Sequence, residues 1–373
     1  MVVLLLLCAS PILAATGPVR WCATWATKFS DSGFGEDYFN AAPETVQMSV
    51  ARYSKAQLRV KGTTTLIFNG FLDSLGCTPY LNTTSGTVYE FRTFYTRYRD
   101  GMTIYVNPTA FAESTTVKSV EITPTSSAIT DAYVLGSFGW WNENNNLAQL
   151  AGQVLWKESA LSWPRPSVTY ISTHANPGCN LSPSTYFDPS GDANRICVNP
   201  AYTTADGTEY NHTKYKFVVA HEMGHRQADG VGGVGFSGAS YSNNDGNTDN
   251  PLWPVYNVEH YCNCYRNNPS SPPTTCIHSR TFIETAEQEG WANFFASAMF
   301  NYRSSTSGYW TISSKTYVPS GSSVSWDSTP PIAFNLLQRW KWMENHCGST
   351  TSQTAEMANR GVITDWVQFF WQV

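Results

Sequence analysis

The residues of this chain whose types and spacing could do chemistry stand together in His221-Glu222-Met223-Gly224-His225. In a helix, residues i and i+4 lie one above the other, so both imidazoles could reach a single Zn²⁺. Glu222 would flank that metal. Zinc lowers the pKa of a water it binds to about 7, and a carboxylate beside that water can take its proton and pass it to a leaving amine. The expected chemistry is zinc-dependent hydrolysis. The plainer alternative, a core helix with two incidental histidines, would bury an ionisable glutamate between them with no metal or partner, which is costly.

Two elements must position these groups. The apolar Phe217-Val218-Val219-Ala220 before the first histidine suits a buried helix, Thr213 offers a polar group near its start, and Gly230 follows Asp229 where a helix would stop. A third ligand has to come from elsewhere. The segment from Thr281 to Phe300, acidic at first and then rich in Ala and aromatics, predicts a second long helix. Glu289 sits where that helix becomes apolar, and Asn293 lies four residues on, on the same face, able to hydrogen-bond a ligand imidazole. Glu284 and Glu287 fall in the polar opening turn, where acids favour the helix dipole.

These two segments resemble the gluzincin metallopeptidases, the thermolysin-like division in which a His-Glu-x-x-His helix is joined by a glutamate from a following helix. The resemblance implies His221, His225 and Glu289 as metal ligands and Glu222 as general base. It places Asn293 where family members often carry an Asp that orients the first histidine, and Asp229 where thermolysin-like sequences also have an Asp. It is confined to the two segments, and the gap between His225 and Glu289 is longer than in compact members, which calls for an insertion. The metzincin pattern is absent, since Ala228 and Val231 hold the positions that would need Gly and His. The main rival is an Asp-ligand zincin, with Asp249 as its third ligand.

Upstream, runs such as Thr64–Phe68, Val88–Arg92 and Met102–Val106 alternate or are β-branched, and Gly, Asn and Pro break them. A linker is expected around Thr123–Ser127. Beyond it a helix near Asn144–Lys157 and strands at Val168–Ser172 and Arg195–Asn199 precede the histidine helix. That order resembles a zincin upper subdomain, in which an edge strand pairs with extended substrate. Residues 231–280 are rich in Gly, Asn, Ser and Pro, and helices are expected at Ile332–His346 and from Asp365. The expected fold class is α+β. It comprises a signal peptide at 1–15, an all-β, sandwich-like accessory domain at 16–125 and a zincin-like catalytic domain at 126–373.

Composition agrees with a secreted, extracellular or periplasmic enzyme. Hydrophobic residues make up 42% of the chain and charged ones 14%, which excludes a disordered profile. Val2–Ala15 resembles a signal-peptide core with a small-residue cleavage site, though no Lys or Arg precedes Arg20, and it is too short to span a bilayer. No later segment is apolar for long enough to span one. Net charge is −5 with no basic cluster, so neither nucleic acid nor anionic membrane is an expected partner; a protein or peptide substrate is. The sequence does not speak to oligomeric state.

Eight cysteines follow Cys8, an even number that suggests disulfides in an exported chain. Order along the chain favours Cys22–Cys77 and Cys179–Cys197, with Cys262, Cys264, Cys276 and Cys347 closing two more; a structural zinc site of Cys262, Cys264 and Cys276 with His260 and His278 is the alternative. Ser242–Asn250 is dense in oxygen ligands and could hold Ca²⁺, against a solvated loop of Asx turns. No single residue stands out as the oxyanion donor among His260, His278, Tyr302 and Tyr309. Two other functions fit the same motif: hydrolysis of a non-peptide amide or ester, and binding on a zincin scaffold without turnover.

Overall fold

Period-two alternation makes Tyr89–Arg99 a strand, with Tyr89, Phe91, Thr93 and Tyr95 turned inward and almost fully buried. In the computed structural model the strands are β1 (Thr16–Lys28), β2 (Val46–Val50), β3 (Ser54–Val60), β4 (Leu66–Phe71), β5 (Leu81–Thr84), β6 (Tyr89–Arg99), β7 (Met102–Val106), β8 (Val117–Ile122) and β9 (Thr130–Leu135). Helix α1 (Glu143–Leu161) follows, then β10 (Val168–Thr173), β11 (Tyr186–Asp188), β12 (Arg195–Val198), β13 (Tyr202–Thr203) and β14 (Glu209–Tyr210). Helix α2 (Lys216–Gly230), β15 (Arg280–Phe282), α3 (Ile283–Phe300) and β16 (Arg360–Val362) complete the order. The structure describes residues 16–30, 43–107, 117–124, 130–135, 141–161, 166–173, 185–188, 195–203, 209–230, 280–300 and 360–362, with 163, 179, 366, 369 and 370. The expected α+β mixture of strands and helices is present.

The large sheet runs β11-β12-β10-β7-β6-β3-β4, with β8 also paired to β6. Strands β7, β10 and β12 are parallel neighbours, and β11 closes the series antiparallel to β12. Parallel strands need a crossover, and α1 lies within the one from β7 to β10. A smaller sheet, β2-β1-β5 with β9 parallel to β1, faces β6: Trp21 meets Tyr89 edge-on at 5.7 Å and Trp25 meets Tyr95 at 4.9 Å.

The expected boundary at residues 125/126 does not coincide with a break in packing. Strand β7 hydrogen-bonds β10 from Thr103↔Val168 to Val106↔Ile171. One core cluster joins Trp21, Trp25, Phe91 and Ile104 to Leu147, Ile171, Ile196, Val219 and Phe295. At the start of the expected linker, Pro124 accepts a backbone hydrogen bond from Gly86; residues 125–127 lie outside the described residues. Described residues on both sides of 125 therefore contribute to one sheet and one core cluster.

Helix α1 shows how a polar stretch is buried. Its Asn145, Asn146, Gln149 and Gln153 are each no more than 2% exposed. Buried amides need partners, and these donate to main-chain oxygens: Asn145 to Ala26, Asn146 to Lys28 and Thr213, Gln149 to Ser49, Gln153 to Met299. One helix thereby fastens β1, β2, the turn before α2, and α3. Arg97, fully buried and lowered by that burial to about 9, adds a cross-link: it donates to the Ala148 carbonyl and to Ser54 while its guanidinium lies 4.3 Å from the Trp25 ring centre.

Among the described residues there are two disulfides, Cys22–Cys77 and Cys179–Cys197. Both are pairs that the order of cysteines predicts. No described helix is long and apolar enough to cross a membrane. The signal-peptide segment 1–15, the Ca²⁺ stretch Ser242–Asn250, the other four paired-cysteine candidates and the expected helix Ile332–His346 lie outside the described residues. Of the expected last helix, Trp366, Phe369 and Phe370 are helical.

Candidate metal centre

Helix α2 is entered through one turn of 3-10 helix, His212–Lys214, whose N-cap is Asn211; its side chain accepts from the Thr213 amide at 3.0 Å. Asn211 therefore caps this entry turn, with Thr213 two residues later. From Lys216 the helix carries Phe217, Val219, Ala220 and Met223 into the core. His221 and His225 share one stripe with Phe217, whose ring lies 6.3 Å from that of His221; the two imidazoles are 4.7 Å apart and almost perpendicular. Arg226 secures the helix to the sheet by donating to the Val168 carbonyl of β10 at 2.9 Å.

Helix α3 meets α2 at a point without side chains to hold them apart. A Cβ on Gly224 would lie 2.8 Å from the Ala292 Cα and 3.0 Å from the Phe295 Cβ, so only glycine permits this approach. Trp291 fastens the crossing by donating its ring N–H to the Gly224 carbonyl at 3.2 Å. Glu289 is one turn before Ala292 on the same face of α3, so the close crossing carries its carboxylate to the two histidines.

The three side chains converge. Nε2 of His221 and Nε2 of His225 are 3.1 Å apart, Glu289 Oε2 is 3.1 Å from the first, and Oε1 is 3.5 Å from the second. Two donors bound to Zn²⁺ at about 2.0–2.1 Å and a tetrahedral angle are about 3.3–3.4 Å apart. The observed spacings bracket that value, and two imidazoles with one carboxylate are a donor set that suits the ion. The three residues form a group that could hold a metal ion. Their side chains are 14–17% exposed, enough to leave a ligand an approach.

Electrostatics bind the cluster further. Burial works against charge on both His225 and Glu289, yet their mutual attraction prevails: Glu289 raises His225, and the histidines hold Glu289 well below the usual carboxylate range. Glu222 stays outside the trio. Its Oε2 accepts the backbone N–H of Phe187 in β11 at 2.9 Å. Burial pushes the Glu222 carboxyl up, against the pull of His221 and His225, and proximity to Glu289 adds to the rise.

The supporting residues make local contacts. Asn293 donates its amide to the Glu289 carbonyl at 2.6 Å, a bond within its own helix rather than one to an imidazole. His221 Nδ1 is buried with no hydrogen-bond partner among the described residues. Asp229 faces Arg226, 3.7 Å from Nη1, so it braces the end of α2. Asp249, the rival ligand, and His260, His278, Tyr302 and Tyr309 lie outside the described residues, as does the side chain of Glu284. The residue that sequence reasoning missed is Phe187. Its contribution is a main-chain amide, and no side-chain pattern announces one.

A comparison with protein-family models and with curated proteins finds no match to this chain.

Proposed function

We propose that this chain is a secreted zinc metalloendopeptidase of the gluzincin kind, in which His221, His225 and Glu289 hold the ion. The observation that carries the reading is the convergence of those three donors at tetrahedral spacing with Glu222 alongside but outside the set. Zinc, when bound there, supplies a Lewis acid for a carbonyl oxygen and acidifies water. Glu222 accepts the proton of the attacking water and delivers it to the leaving nitrogen. Phe187 N–H holds the carboxylate in place between turnovers.

A peptide substrate is favoured over a compact ester because β11, the last strand of the large sheet among the described residues, lies at the site, and a sheet edge recognises extended backbone. Export is supported by the two disulfides, which persist in oxidising compartments. The test is metal analysis of the purified chain with proteolysis of denatured casein, before and after chelation. One zinc per chain is expected, with cleavage lost on chelation and restored by added zinc. Cleavage that survives complete removal of metal would overturn the proposal, as would a zinc-loaded chain that hydrolyses only esters.

A further inference from the structure

Strand β11 ends the large sheet: Tyr186, Phe187 and Asp188 oppose Cys197, Ile196 and Arg195 of β12, and no described strand pairs with its other side. In an antiparallel pair, successive residues alternate between exchanging main-chain bonds with the partner and facing away from it. Phe187 is the residue that faces away, because its N–H runs to Glu222 Oε2 at 2.9 Å. An extended peptide that adds to this edge needs an outward donor for one of its carbonyls, and among the three residues of β11 that donor is the Phe187 amide. It is already in use.

We propose that Glu222 caps the open edge of β11, so that an incoming peptide backbone and the Glu222 carboxylate exchange places on the Phe187 amide. Substrate binding then frees the base. The capped edge also denies the strand to other chains, since an unpaired row of donors invites aggregation. A carboxylate accepts a stronger hydrogen bond than a peptide carbonyl does. The exchange therefore weakens peptide binding, and selects backbones that add further contacts along the edge. This inference rests on the reading of the site as a peptidase.

The probe is a hexapeptide of Ala and Leu whose central bond is an uncleavable aminomethylene, titrated calorimetrically into the zinc-loaded chain. Glu222→Ala leaves the Phe187 amide open and is expected to bind the probe about tenfold more tightly than wild type, the scale of one hydrogen bond no longer displaced. Replacing the probe's peptide bonds one at a time by an alkene should abolish that gain at a single position. Amide exchange gives a second readout. Phe187 N–H should be protected in wild type, exchange faster in Glu222→Ala, and regain protection with the probe bound. Equal or weaker binding by Glu222→Ala, or a Phe187 amide that exchanges alike in both proteins, would overturn the proposal. If wild type cleaves casein while either of those results is obtained, the exchange alone fails; if zinc-loaded wild type cleaves no peptide at all, the peptidase reading fails first.

Discussion

His225 and Glu289 set opposite pH limits on the metal-free site. Glu289 is depressed in the folded state, so its contribution is present above its unfolded pKa of about 4.3 and is lost as pH falls through the lower folded value. His225 is raised, so its contribution is complete below its unfolded pKa of about 6.5 and is lost as pH rises through the higher folded value. Metal needs the neutral imidazole. Chelated protein should therefore lose melting temperature as pH is raised from about 6 upward, while zinc-loaded protein holds or gains over the same range. Thermal melts across pH with and without chelator would show it, and a chelated protein that is most stable in alkali would contradict it. The candidate metal group was legible because His221 and His225 stand four residues apart and Glu289 sits where its helix becomes apolar. The partners of Asn293 and Asp229 were not, because a rotamer choice between a ligand imidazole and a nearer carbonyl or guanidinium leaves no trace in residue type.

Helices α2 and α3 depend on a single missing side chain. Gly224→Ala keeps every ligand but sets a methyl 2.8 Å from the Ala292 Cα, and the helices must separate to admit it. Overpacking of this kind costs about 1–3 kcal/mol. Here it should also weaken zinc affinity, since Glu289 moves away with α3; competitive chelator titration together with a melt would check both, and unchanged affinity would show that the crossing does not set the site. Helix α1 makes a second case. Asn146→Ala would remove donors from the Lys28 and Thr213 carbonyls and an acceptor from the Lys28 amide, for a loss of about 2–4 kcal/mol in denaturant unfolding. The helices were readable from their long periodic runs. Strand β11, three residues long with no alternation to display, was not, nor was the burial of the asparagines in α1, which composition alone marks as surface residues.

Across the whole molecule, the chain's two halves share a sheet that local patterns could not reveal. Each strand of the β7–β10 pair was expected from its own residues, but their pairing spans sequence that says nothing about it. A fragment beginning at residue 126 would leave β10 without β7 and should show no cooperative unfolding; a sharp melt of that fragment would show that the β7–β10 pairing is dispensable. The disulfides act at the same scale. Loops of 55 and 18 residues between paired cysteines imply about 3–4 kcal/mol from each bond in the chain-entropy account, so reduction should lower the denaturation midpoint markedly. On the proposed reading, turnover depends on Glu222, which lies outside the group of His221, His225 and Glu289. The most direct test is the rate of casein hydrolysis by Glu222→Gln with its zinc content measured on the same sample. One zinc per chain with turnover reduced by about 10²–10⁴ is the predicted result; cleavage near the wild-type rate with zinc bound would contradict the account.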